Sequence, residues 1–150
     1  MNPKVNIYLT RFTAGLALVL LVAACAHHHH GAHHEGGQVL SGANEVPPNN
    51  STATGSGSIR ILGDGSVIGN ITVAGMVATA AHIHEAPPGQ NGKVIVPFVK
   101  TADDTFGPAA GAKLTDEQYK SFLAGNLYVN VHSAAIPGGE IRAQLAPPGK

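Results

Sequence analysis

The sequence has few of the residues that form disulfides or large aromatic cores. It contains one cysteine and no tryptophan in 150 residues, and aromatic residues make up 5% of the chain. A single cysteine excludes a disulfide within the chain. The shortage of aromatic side chains predicts a core of valine, isoleucine, leucine and alanine.

Charged residues are also scarce, and the two signs balance. Nine basic and nine acidic residues give a net charge of zero when histidine is neutral. Because nucleic-acid binding depends on a basic surface that neutralises phosphates, this balance argues against a nucleic-acid partner. The sequence has no glycine-rich phosphate loop, nucleophile elbow or dinucleotide fingerprint.

Residues 1–24 have the pattern of an export signal. Lys4 and Arg11 precede an apolar stretch at 12–22, and Ala23 and Ala24 follow it. This apolar stretch is too short to span a bilayer comfortably. The pattern predicts that the rest of the chain is exported.

Cys25 follows the run 21–24, Leu-Val-Ala-Ala, in an arrangement that resembles the lipobox of bacterial lipoproteins. The resemblance implies that Cys25 is lipidated and that acyl chains anchor a soluble domain. Since Ala26 and not aspartate comes next, it also implies a location on the periplasmic face of the outer membrane or on the cell surface. The alternatives are simple cleavage or an incidental cysteine.

A histidine-rich segment follows within residues 25–37. It holds six of the nine histidines, namely His27, His28, His29, His30, His33 and His34. A short tract of histidines with glycines cannot form a core, and its composition predicts a flexible arm that collects metal ions. A purification tag is the alternative interpretation.

Residues 38–146 are enough for one domain, and 147–150 form a short tail. The domain reads as short strands separated by turn residues, which predicts an all-β sandwich or barrel. The predicted strands cover 38–41, 56–62, 66–73, 79–85, 93–99, 127–132 and 140–145, with a hairpin turn at 63–65 and with strand 93–99 well buried. One short helix is predicted at about 115–125, because Thr115 and Gln118 form a capping box and Gly125 can end it.

Three histidines of the domain lie at positions that suit a metal site. His82 and His84 are alternate residues of one predicted strand and therefore share a face, and His132 ends another strand. The apolar face of that second strand is formed by Leu127, Val129 and Val131. The histidine of this strand lies on the opposite face, so we expect the histidines to lie on polar, accessible faces.

Three neutral imidazoles with an open fourth position suit copper or zinc. Because these ligands are nitrogens without a thiolate, they do not show whether the metal is copper, nickel or zinc. The alternative interpretation is that the histidines are solvated side chains without a ligand.

Several runs of the sequence resemble one family. These are Gly-Ala-Asn-Glu-Val-Pro-Pro at 42–48, Ala-Ala-His-Ile-His at 80–84 with Pro87 and Gly89, Asn-Val-His-Ser at 130–133, and Pro-Gly-Gly-Glu-Ile-Arg at 137–142. In this order they resemble the CHRD domain, which is named from chordin, over about residues 39–145. The resemblance implies a small, exported, single-domain protein.

The run His82 to Glu85 also resembles the copper strand of copper/zinc superoxide dismutases, and His132 resembles their last copper histidine. This second resemblance implies a Greek-key sandwich or barrel in which His82, His84 and His132 bind copper. Glu85, Asn130 and Arg142 would support the ligands, and Arg142 could steer an anion. The dismutases' disulfide is impossible here, and their zinc loop has no counterpart between Glu85 and Val99.

Taken together, these patterns predict a lipid-anchored, copper-binding protein that stores, detoxifies or delivers copper, with zinc as the other possible metal. A second protein that exchanges metal with it is a possible partner, and the oligomeric state, including a dimer, stays open. The alternatives are a superoxide dismutase-like enzyme, for which we expect low or no activity, and an extracellular adhesion module.

Overall fold

The computed structural model describes residues 37–149. The predictions for the export signal, Cys25 and the histidine-rich arm fall in residues 1–36, outside the described residues. In chain order the elements are β1 (Gln38–Ser41), a 3₁₀ helix (Gly42–Asn44), β2 (Thr54–Gly57), β3 (Arg60–Ile61), β4 (Val67–Ile68), β5 (Ile71–Ala74), β6 (Ala78–Glu85), β7 (Lys93–Ala102), β8 (Thr105–Pro108), α1 (Asp116–Leu123), β9 (Leu127–Ser133) and β10 (Ile141–Gln144).

Eight strands close into an antiparallel barrel in the order β1-β10-β9-β6-β7-β8-β5-β2. Strands β3 and β4 pair separately as a two-stranded sheet. The prediction of a mostly β domain with one short helix is therefore confirmed. The Greek-key connectivity and the likeness to the dismutases stay predictions.

The barrel interior is mainly aliphatic, as the composition predicts, but Phe98, Phe106 and Phe122 also belong to the core. Its large aliphatic side chains with no exposed surface come from five of the eight strands: Leu40, Ile71, Ile83, Leu127, Val129, Val131 and Ile141. Burying an aliphatic side chain of this size contributes roughly 1.5–3 kcal/mol. Packing of their inner faces in the core thus holds β6 and β9 in place, and the outer faces of these two strands carry the three histidines.

The predicted hairpin around residues 63–65 is present, but its two strands are shorter than expected. Arg60 pairs with Ile68, and Ile61 pairs with Val67. Each predicted strand divides in two near Gly69, which has a φ of +108° and lies so close to the carbonyl of Ser58 that a side chain would not fit. Strand pairing therefore stops there and resumes at β2 and β5.

Strand β7 differs from the prediction in both length and burial. It runs on to Ala102, and the prediction that it is well buried is wrong, because Val94 and Val99 are 46% and 49% exposed while only Val96 and Phe98 are buried. One face of an antiparallel strand commonly faces water. Strand β8 was not predicted, because its glycine and proline are poor strand formers.

The helix forms where the capping box predicts it. The Thr115 hydroxyl accepts a hydrogen bond from the Gln118 backbone N–H, and the Gln118 side chain accepts one from the Thr115 N–H. Phe122 packs the helix onto the core. Between residues 37 and 149 there is no helix with the length and apolar character needed to cross a membrane.

Two segments, 42–51 and 86–92, lie over the outer faces of β9 and β10; we call them the cover loops. Asn44 donates a hydrogen bond to the carbonyl of Arg142, and Asn91 accepts one from the Arg142 guanidinium. Beneath the cover loops, Tyr128, Asn130 and Arg142 are only 2%, 2% and 1% exposed. The expectation of an accessible outer face on β9 is therefore wrong for Tyr128 and Asn130.

Candidate metal centre

The pairing of β6 with β9 brings the three histidines to one face of the barrel. His82 pairs with Asn130, His84 with Tyr128, and Ala80 with His132. These positions alternate along both strands with the buried Ile83, Val129 and Val131, so their side chains point outward.

One ring nitrogen from each of His82, His84 and His132 lies within 4.8 Å of the other two. Nitrogen ligands bind zinc at about 2.0–2.1 Å, so two of them are about 2.9–3.4 Å apart at angles between 90° and 109°. The 3.0 Å between Nδ1 of His82 and Nε2 of His132 falls in this range. The widest pair, at no more than 4.8 Å, would need to close by up to about 1.4 Å to share one ion.

Backbone carbonyls fix the orientation of two of the rings. Nδ1 of His84 is 3.0 Å from the oxygen of Gly92, and Nδ1 of His132 is 2.9 Å from the oxygen of Pro137. Because a carbonyl can only accept, each Nδ1 carries the hydrogen and each Nε2 presents its lone pair. Histidines that bind metals are usually held in this way.

His84 is the buried member of the cluster. It is 8% exposed, and its Nε2 has no hydrogen-bond partner among the described residues. The expectation that all three histidines are accessible is therefore wrong for His84, which lies beneath the second cover loop. A buried nitrogen without a partner is unfavourable unless something binds it. The donor set thus fits a metal that prefers nitrogen ligands.

His82 and His132 form the half-exposed edge of the cluster. Without a metal, Nδ1 of His82 can donate to the Nε2 lone pair of His132, which explains their 3.0 Å separation. If both nitrogens face one cation, His82 carries its hydrogen on Nε2 instead. Neutral imidazole allows this exchange without any change in charge.

Burial lowers the pKa of His82 and of His84 below the ordinary value of 6.5. The charges that His132 and His84 would carry lower the pKa of His82 further. For His84, the hydrogen bond to Gly92 and the neighbouring Asn130 side chain oppose the effect of burial, and Arg142 adds to it. The neutral form of both rings, which is the form that binds metals, is therefore favoured.

The metal-free protein should lose stability as the pH falls below about 6.5. In the unfolded chain His82 and His84 take up protons near that pH, whereas in the folded domain their pKa values are lowered. The unfolded state then binds more protons, so the free energy of unfolding decreases with falling pH. Melting temperatures measured between about pH 7.5 and 5.5 test this, and His84→Gln should make the decrease smaller. An unchanged slope in that variant would contradict the prediction.

Tyr128 links the cluster to a buried cation. Its ring stacks on His84 with 4.8 Å between centroids and 8° between planes. The guanidinium carbon of Arg142 lies 3.4 Å from the centroid of the same ring. Because β9 lies between β6 and β10, His84 and Arg142 approach Tyr128 from opposite sides.

The residues predicted to support the ligands have different surroundings. Asn130 lies between His84 and Glu45 and affects the pKa of both. Arg142 contacts Tyr128, and its charge also lowers the pKa of His84. The Glu85 carboxylate is not hydrogen-bonded to any of the three histidines. It accepts a hydrogen bond from Ser121 at 2.6 Å and pairs with Lys93 at 3.1 Å.

Tyr128, Glu45, Gly92 and Pro137 were not predicted as site residues, although Glu45 and Pro137 lie in the runs that resemble the CHRD domain. Tyr128 could have been found, because it alternates with Asn130 and His132 on one strand. Gly92 and Pro137 act through backbone carbonyls, and the sequence has no signal for that role. Glu45 is buried, which raises the pKa of its carboxyl, and its Oε1 has no hydrogen-bond partner within the described part of the chain.

A closed antiparallel barrel with three converging imidazoles on its outer face defines a β-barrel protein with a candidate metal site. Residues 37–145 match the CHRD domain, and the chain belongs to this family. No curated protein matches the chain, and no solved structure does either.

Proposed function

We propose that the protein is an exported, lipid-anchored copper-binding protein that sequesters copper, confers tolerance to it or delivers it. The observation that carries the proposal is the convergence of His82, His84 and His132, with two rings oriented by carbonyls and the buried Nε2 of His84 left without a partner. The pattern of residues 1–25 supports export and lipidation.

Copper is preferred to zinc on the chemistry of the ligands. The cluster has three neutral imidazoles and neither a thiolate nor a carboxylate. At a site of nitrogen ligands, copper(II) binds more tightly than the other divalent first-row metals. The half-exposed edge at His82 and His132 would let a partner protein add or remove the ion. We place this exchange at the outer membrane or the cell surface.

Metal competition tests the proposal. The chain, with its six arm histidines replaced by serine, is offered copper(II), zinc and nickel, and bound metal is measured. We expect one copper ion per chain and a copper(II) electron paramagnetic resonance spectrum with hyperfine coupling to several nitrogens. Absence of bound copper, or tighter binding of zinc, would contradict the copper assignment.

The arm should bind additional, weaker copper. The composition predicts a flexible arm; a flexible segment of about a dozen residues would reach roughly 20 Å, and ordering its imidazoles around an ion would cost entropy. Deleting residues 26–36 should lower the number of bound ions and slow loading at scarce copper, and the spectrum of the tight site should stay unchanged. Loss of that spectrum would show that the arm supplies an essential ligand.

The copper-loaded protein should remove superoxide far more slowly than the diffusion ceiling of roughly 10⁸–10⁹ M⁻¹s⁻¹. Rapid dismutation relies on a positive group that steers the anion to the metal. The Arg142 side chain is 1% exposed and is bound to Tyr128, Asn91 and Gln144, so it does not offer that charge to solvent. Stopped-flow measurement of superoxide decay tests this, and a rate near the ceiling would favour the enzyme alternative.

A further inference from the structure

We propose that Arg142, held against the ring of Tyr128, raises the reduction potential of copper at the three-histidine site and so shifts the copper(II)/copper(I) equilibrium towards copper(I). The inference rests on the proposed copper binding and deepens it. It assigns a role to the buried guanidinium of Arg142, which has no direct contact with the three histidines that would account for its position.

The geometry forms a three-layer stack. The Arg142 guanidinium lies over one face of the Tyr128 ring, and His84 lies parallel to the ring from the other side. Two hydrogen bonds close the arrangement: the Gly92 N–H donates to the Tyr128 hydroxyl at 3.2 Å, and His84 Nδ1 donates to the Gly92 carbonyl. The stack therefore fixes the plane of the His84 ring as well as its electrostatic surroundings.

The charge of Arg142 is poorly compensated by direct contacts. Its hydrogen-bond partners Asn91 and Gln144 are neutral amides, and within residues 37–149 no carboxylate lies within ion-pair distance of it. Glu45 affects it only at longer range. A buried cation is costly without such compensation, and the face of an aromatic ring supplies part of it.

A fixed positive charge acts unequally on the two oxidation states of copper. Its repulsion is proportional to the charge of the ion, so it opposes copper(II) more than copper(I). One unit charge at roughly 10 Å and an effective dielectric constant of about 20 changes the ratio of the two affinities by about tenfold. Arg142 is 1% exposed, which limits the screening of its charge by water.

The test compares copper(II) and copper(I) affinities of the full chain under the same conditions. Arg142→Met and Arg142→Gln remove the charge, and Arg142→Lys keeps it. In the neutral variants we expect the ratio of copper(II) to copper(I) affinity to rise about tenfold, which lowers the potential by about 59 mV. Arg142→Lys should recover most of the original potential, which a purely structural role for the guanidinium would not explain.

Two further variants and a folding check serve as controls. Lys113→Gln removes an exposed charge that pairs with Asp64 and should leave the potential unchanged. Tyr128→Phe keeps the stacked ring and should shift the potential less than Arg142→Gln does.

Circular dichroism identifies any variant that fails to fold. If Arg142→Met does not fold, Arg142→Gln serves in its place, because it keeps an amide that can bind Asn91. An unchanged potential in folded neutral variants overturns the inference, whereas absence of copper from the unmodified chain overturns the proposed function itself.

Discussion

Replacing His132 with alanine should weaken copper(II) binding by more than about 100-fold, because loss of a residue that merely supports a ligand already costs 10–100-fold. His132 is the most informative choice, since it is half-exposed while its Nε2 faces His82 at 3.0 Å. Its removal should change the free energy of unfolding by no more than about 1 kcal/mol. Equilibrium competition with a copper chelator, in the chain with arm histidines replaced by serine, measures the affinity.

The matched control is Thr79→Val on the neighbouring strand. Thr79 is exposed, and its hydroxyl donates to the backbone carbonyl of His132, so the substitution disturbs the same position without removing an imidazole. Binding in this variant should stay close to that of the unmodified chain. If His132→Ala binds copper as tightly as the control, the three-histidine site is wrong.

Gly92→Ala should destabilise the domain by about 2–3 kcal/mol and weaken copper binding by about 10–100-fold. A methyl group at this position would overlap the backbone carbonyl of Glu85, which has no flexible end that could move away. The turn would have to shift, and with it the carbonyl that holds Nδ1 of His84. Chemical denaturation and the chelator competition measure the two effects.

Gly138→Ala is the control for this prediction. A methyl group there meets nothing within 4 Å, and the backbone is not left-handed. Stability and copper affinity should both stay near their original values. Equal losses in the two variants would show that glycine content, and not the close approach at Gly92, limits the fold.

The sequence predicts directions of side chains better than their surroundings. Alternation along β9 correctly separates the inward Val129 and Val131 from the outward Tyr128, Asn130 and His132. It does not show that Tyr128 and Asn130 are buried, because the cover loops that bury them come from distant parts of the chain. The same limit applies to His84, whose burial depends on the turn at 86–92.

Local chemistry decides which elements are predictable. The capping box at Thr115 and Gln118 involves residues three apart, so the helix is found from sequence. The division of two predicted strands near Gly69 depends on its contact with Ser58, and β8 is recognised only through its partners β5 and β7. The alignment of β6 with β9, which brings His132 beside His82, likewise follows from pairing between distant segments.

The position of the histidines on the outside of a complete barrel separates the proposed metal ligands from the strands that form the core. In small zinc domains the metal replaces part of a missing core, so losing the ion unfolds the chain. Here the interior is enclosed by the barrel strands, with Phe122 of α1 packed against it, and the histidines lie outside it. An ion could then be taken up and released repeatedly by a chain that stays folded, and the ligand set could be exchanged for another one on the same scaffold.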